Sequence, residues 1–204
     1  AIDFLIQHSG SRRNLEIDFF GGEPLMNFDV VKELVKYGRE IEGRYGKNIR
    51  FTITTNGILL DDDKIAYINE NMDNVILSID GRPEVNDRMR KTVNGKGTYD
   101  IITKNYKNFV SKRDGLYYVR GTFTRYNLDF AEDVKHLLDL GFSNVSVEPV
   151  VTDSKYDYAL RDEDIDTILN EYDRLSDMYI KNAEEGKPFD FFHFNVDLEG
   201  GPVA

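Results

Sequence analysis

FFGGEPLMNFDVVKELVKYG, residues 19–38, links the end of a β-rich run to an amphipathic helix through two glycines, one carboxylate and a proline. Upstream, Leu15 to Phe20 alternate apolar and charged side chains. From Phe28 the period lengthens, and Val31, Leu34, Val35 and Ile41 share one stripe. A change from period two to period 3.6 across a glycine turn marks a β–α unit. Sheets built from such units gather their functional groups at the carboxyl ends of the strands. Glu23 stands at that position.

The same alternation recurs along the chain. Further strands are expected over 49–55, 74–80, 117–124, 144–151 and, in the aromatic run FDFFHFNV, over 189–196. Helical stripes are expected over 28–45, 98–110, 130–140 and 162–185. Strand centres fall roughly 25 to 45 residues apart, enough for right-handed βαβ crossovers and a mostly parallel sheet. The chain opens on Ile2, Leu5 and Ile6 in a helical pattern. The expected fold is therefore α/β: one domain over residues 1–204, a partial barrel lacking its first strand.

Composition narrows the function. Of 204 residues, 37 are acidic and 26 basic, a formal net charge of -11. That balance argues against a nucleic-acid partner, whose footprint is basic, and against an anionic membrane surface. No run approaches the ~20 apolar residues that span a bilayer, and no signal segment opens the chain; a cytoplasmic protein is expected. There is no cysteine, which removes disulfides, thiolate metal sites and thiol nucleophiles from these residues, so no metal ligand is assigned within them.

Each strand end is polar: Gly21-Gly22-Glu23-Pro24, then Asn56-Gly57, then Ser78, Asp80 and Gly81, then Arg120 and Thr122, then Glu148. Such a set suits a small zwitterion, with Glu23 taking an ammonium group and Arg120 and Ser78 a carboxylate. Each residue also has a structural alternative. Gly-Gly before Glu-Pro serves as a strand-to-helix turn, Asn-Gly and Asp-Gly are turn dipeptides, and Glu148 fits a satisfied interior carboxylate. The recurrence on five consecutive strands is what argues for a site. His8 and His136 read as solvated or packing residues, and His193, between Phe192 and Phe194, as a structural one. No HExxH, GxSxG or P-loop pattern occurs.

GGEP (21–24), TTNG (54–57), SIDG (78–81) and VRGTFT (119–124), in this order and spacing, resemble the radical S-adenosylmethionine (SAM) enzymes, in particular the peptide-modifying branch with a C-terminal SPASM domain. The likeness covers essentially the whole chain. NDRMRKTVNGKGTYD (86–100), YYVRGTFTRYNLDF (117–130) and FFHFNVDLEGGP (191–202) are similar to the maturases that install thioether cross-links in cysteine-rich SCIFF peptides.

The resemblance implies a partial (β/α)6 TIM-like barrel that binds SAM next to a [4Fe–4S] cluster. Reductive cleavage of SAM yields a 5′-deoxyadenosyl radical that abstracts hydrogen from a ribosomal peptide, whose cysteine sulfur then bonds to that carbon. By motif position, Gly21, Gly22 and Glu23 would hold the methionine amino group, and Ser78 and Arg120 its carboxylate. Asn56 and Asp80 would lie near the ribose, and the residues around Glu148 and Val150 would border the adenine. No catalytic acid or base is assigned.

The implied partners are a cysteine-rich precursor peptide and an electron donor such as flavodoxin or ferredoxin. The chain departs from the pattern in its cysteines. The CxxxCxxC cluster loop is expected upstream and the ligands of auxiliary [4Fe–4S] clusters downstream, while Pro202 is followed by Val203 where a cysteine is expected. These residues alone are thus expected to be inactive. An anaerobic sulfatase maturase or another SPASM peptide cyclase shares the SAM motifs, and a non-catalytic peptide-binding scaffold remains the reading from another class.

Overall fold

The structure, a computed structural model, describes residues 1–195; Val196, at the end of the last expected strand, and the Gly200-Gly201-Pro202 motif lie outside the described residues. The chain divides into two units, one of residues 1–77 and 104–117, the other of residues 78–103 and 118 onward.

The first unit runs α1 (Ile2–His8), β1 (Asn14–Phe19), a 3-10 turn (Pro24–Asn27), α2 (Phe28–Glu42), β2 (Asn48–Thr55), α3 (Asp62–Asn71) and β3 (Asn74–Ser78), whose final residue belongs to the second unit. β1 pairs parallel with β2, Leu15 opposite Ile49 and Phe19 opposite Ile53; β2 pairs parallel with β3 from Thr52 opposite Asn74. β2 has neighbours on both sides and is buried almost continuously from Phe51 to Thr55, as a central parallel strand requires. Phe51 and Ile53 are fully buried beneath Val31, Val35 and Ile41 of α2. Each such side chain contributes about 1.5–3 kcal/mol through burial. α3, which apolar periodicity did not reveal, begins where Asp61 accepts a hydrogen bond from the Lys64 amide at 2.9 Å.

The second unit holds α4 (Pro83–Met89), the first turn of α5 (Tyr99–Val110, within the first unit from Lys104), most of β4 (Leu116–Phe123), α6 (Phe130–Asp139), β5 (Asn144–Pro149), α7 (Ile165–Glu184) and β6 (Asp190–Phe191). β4 and β5 pair parallel, Arg120 opposite Ser146 and Thr122 opposite Glu148. Alternation sends Val119, Phe123, Val145 and Val147 into a core shared with Phe130, Val134, Leu137 and Leu175. Phe123 stacks on Phe130 at 4.3 Å between ring centres. Arg120, Thr122, Ser146 and Glu148 fall on the opposite, polar face.

The strand expected over 189–196 shrinks to Asp190 and Phe191, paired with Asn144 and Val145. Phe191 completes the core, after which Phe192–Phe194 turn as a 3-10 helix. The turn carries His193, whose ring nitrogens meet the Glu148 carboxylate and the Tyr172 hydroxyl. Within each unit the strands pair in chain order, β1–β2–β3 and β4–β5–β6, and the pairings are parallel, so the fold is α/β as expected.

Candidate functional site

At the end of β1, Gly21 and Gly22 adopt φ of +86° and +59°, and nothing lies within 4 Å of where a Cβ would stand on either. Such φ values disfavour any side chain, so the turn presents bare backbone to open space. Glu23 then caps the 3-10 turn. Its Oε1 accepts from the Leu25 amide at 3.1 Å and the Thr55 hydroxyl at 2.7 Å, and its Oε2 accepts from the Asn56 amide at 2.7 Å. The structure thus brings Glu23 and Asn56 together. A carboxylate offers about four acceptor positions, which leaves one open on Oε2. Asn56 closes its own turn, its Oδ1 accepting from the Ile58 amide at 3.1 Å.

In the second unit the strand-end residues differ sharply in how occupied they are. Asp80 is buried, 4% exposed, and gripped by Arg90, whose Nε and Nη2 donate to its two oxygens at 2.8 Å each. The Thr122 amide also donates to Asp80 Oδ1, at 3.0 Å. Between Arg120 and Thr122, a Cβ on Gly121 would stand 2.7 Å from the Ile79 carbonyl oxygen, so glycine permits this close approach. Ser78 is half-buried at the end of β3. Arg120 is exposed on the polar face of β4, and its guanidinium makes no hydrogen bond or ion pair among the described residues. Val150 is half-buried, its amide donating to the Phe123 carbonyl at 2.9 Å.

Glu148 has partners that the sequence did not reveal. The Ser146 hydroxyl donates to Oε1 at 2.7 Å, and His193 Nε2 lies 3.0 Å from Oε2. His193 Nδ1 is in turn 3.0 Å from the Tyr172 hydroxyl. Burial pulls the Glu148 carboxyl upward, but the Ser146 and His193 hydrogen bonds and the charges of His193 and Arg120 outweigh it and hold it below its usual range. The other histidines have partners of their own. His8 closes α1 on the Phe4 carbonyl, and His136 meets the Tyr99 hydroxyl.

Among the described residues no group of three or more His, Asp or Glu is placed to hold a metal ion, and no helix is long and apolar enough to cross a membrane.

Residues 11–137 match the Radical SAM superfamily. An uncharacterised protein of Methanocaldococcus jannaschii is 30% identical over 190 residues, 91% of this chain and 63% of its own length. The cysteine-type anaerobic sulfatase-maturating enzyme of Clostridium novyi is 26% identical over 183 residues, 87% of this chain and 48% of its own. The structure of native anSMEcpe with bound AdoMet and Kp18Cys peptide superposes with a TM-score of 0.81 at 19% identity, over 95% of this chain and 54% of that one. The chain therefore spans between about half and two thirds of the length of these relatives. The structural likeness bears on the fold, which is that of the partial barrel. The family match covers more than half of the sequence, and the chain belongs to the radical SAM superfamily.

Proposed function

We propose that this chain is the SAM-binding barrel of a peptide-modifying radical SAM enzyme, and that the intact enzyme forms thioether cross-links in a cysteine-rich precursor peptide. The family's cofactors are SAM and a [4Fe–4S] cluster. The residues here fit the first. The observation that carries the reading is the Gly21–Gly22 turn, whose backbone faces open space beside a carboxylate with one acceptor position left.

In this reading Gly21, Gly22 and Glu23 hold the methionine ammonium. Ser78 and Arg120 take its carboxylate, for which the uncommitted Arg120 guanidinium provides a forked donor. Asn56 and Asp80 lie near the ribose, and the β5 end around Glu148 and Val150 borders the adenine. Since Asp80 is already filled by Arg90, its part is to hold the backbone of β4 rather than to offer free oxygens. The cluster is different: a chain without cysteine provides no thiolate for it, and no step is assigned to it here. Bound SAM supplies the radical precursor; these residues bind and orient it.

A peptide partner is supported by the likeness to anSMEcpe, which was solved with a peptide. The thioether chemistry rests on the stretches 86–100, 117–130 and 191–202. A cysteine-type sulfatase-maturating activity is the second reading, favoured by the Clostridium novyi relative. Auxiliary clusters, a SPASM region, an electron donor such as flavodoxin or ferredoxin, and a cytoplasmic setting belong to the same proposal.

The test uses the full-length enzyme, reconstituted anaerobically with a reductant and candidate peptides. Thioether formation is expected to produce 5′-deoxyadenosine and a peptide lighter by two hydrogens. Conversion of a cysteine side chain to formylglycine would favour the second reading. Absence of SAM binding, with Glu23→Ala changing nothing, would leave a non-catalytic scaffold.

A further inference from the structure

The two oxygens of Glu23 are not equally occupied. Oε1 accepts from both the Leu25 amide and the Thr55 hydroxyl, whereas Oε2 accepts from the Asn56 amide alone. With about two acceptor positions on each oxygen, Oε1 is closed and the open position lies on Oε2. The Thr55 hydroxyl makes that difference. It has a single hydrogen, and the Gly57 amide donates to its oxygen at 3.0 Å. An ionised carboxylate only accepts, so the hydroxyl hydrogen goes to Glu23.

The side chain that carries this hydroxyl is itself fixed. Thr55 is buried at the end of β2, and its branched Cβ restricts rotation about χ1. From α5, the Tyr106 hydroxyl donates to the Thr55 carbonyl at 3.3 Å and the Asn105 side chain to the Gly57 carbonyl at 2.8 Å. Gly57, at φ +75°, lets the turn lie against Tyr106, whose ring would stand 2.2 Å from a Cβ there. Closing the turn needs only the bond from the Gly57 amide. The bond to Glu23, 32 residues away in the chain, serves the carboxylate.

We propose that Thr55 is the positioning residue of the ammonium site: by closing Oε1 it leaves Glu23 a single acceptor, of fixed direction, for a protonated amine. The inference rests on the reading of Glu23 as the group that holds the SAM amino group, and it adds a second residue to that selection. Without the hydroxyl, Oε1 regains an open position and the carboxylate keeps two of its three donors. The last torsion of a glutamate is broad, so the acceptor that meets the ammonium is then no longer held in one direction. A site held loosely by its supporting residues binds less well than one set in advance.

The test uses the full-length, cluster-reconstituted enzyme and reads SAM affinity by calorimetry, beside that of the SAM analogue lacking the amino group. Thr55→Val keeps the shape and removes the hydroxyl. It is expected to weaken SAM binding by about 10-fold, the scale of one hydrogen bond to a charged group, and to leave affinity for the deaminated analogue unchanged. Thr55→Ser, which restores the hydroxyl, is expected to recover SAM affinity. In a Glu23→Ala background Thr55→Val should have no further effect, since the two residues act as one unit. If Thr55→Val does not fold, Thr55→Ala, which admits water to the Gly57 amide, takes its place. Equal losses for SAM and the analogue, no recovery in Thr55→Ser, or full SAM affinity in Thr55→Val while Glu23→Ala loses it would overturn the proposal. Undiminished SAM affinity in Glu23→Ala would instead sink the parent reading, and the role of Thr55 with it.

Discussion

Asp80 and Glu148 are both acidic residues at strand ends of the second unit, yet the fold treats them in opposite ways. Asp80 is sealed, with a bidentate arginine on its oxygens and a strand amide as a third donor. Glu148 is half-exposed and held by a hydroxyl and an imidazole, with lone pairs to spare. A carboxylate closed by charge and backbone is a fastener. One closed only part of the way keeps acceptor positions open to a further donor. The two could not be told apart by position in the sequence, since each follows a β-rich run and precedes a turn.

The largest effect should come from breaking the sealed pair. Arg90→Ala leaves the Asp80 charge buried without its partner and is expected to cost about 3–5 kcal/mol. Urea denaturation measures this; a loss under about 1 kcal/mol would mean that Asp80 is not the fastener described. Glu23→Ala tests the corresponding carboxylate of the first unit. It strips acceptors from two amides and a hydroxyl, at an expected cost of about 1–3 kcal/mol.

The smallest effect concerns pH. The Glu148 carboxyl is held below its unfolded value, so its contribution to stability is fully present above the unfolded carboxylate range. It is lost as pH falls through the folded value. At a half-exposed site solvent screening keeps it under about 1 kcal/mol. His193→Gln should shrink the gap between unfolding midpoints measured at neutral and acidic pH. An unaltered gap would show that the imidazole does not stabilise the ionised form.

These contrasts also mark what the sequence could carry. Strands β1 to β5 were legible because each alternates or runs apolar over at least five residues, and α2, α5, α6 and α7 because their apolar stripes are regular. α4 is short, and α3, though as long as α6, buries only Ile65 and Ile68 and so offers little stripe to read; the Asp61 cap, followed by Asp62 and Asp63, was the available signal for α3. β6 was drawn too long because aromatic alternation continues past Phe191, whereas pairing stops there. The strand-end residues were legible as polar punctuation, but their partners were not. Arg90 lies ten residues from Asp80, and His193 45 residues from Glu148. Spacing of that kind carries no local period, so only folding shows which carboxylate is fastened and which is open.

β6 has a consequence for the molecule in a crowded solution. A strand of two residues, lying last in the sheet order, offers an approaching chain almost no ladder to extend. Its Asp190 is tied by Tyr118 on one oxygen and Asn195 on the other, which holds a carboxylate at the rim. Short, charged borders of this kind discourage edge-to-edge aggregation. By turning away at Phe192, the segment that delivers His193 also keeps that border brief.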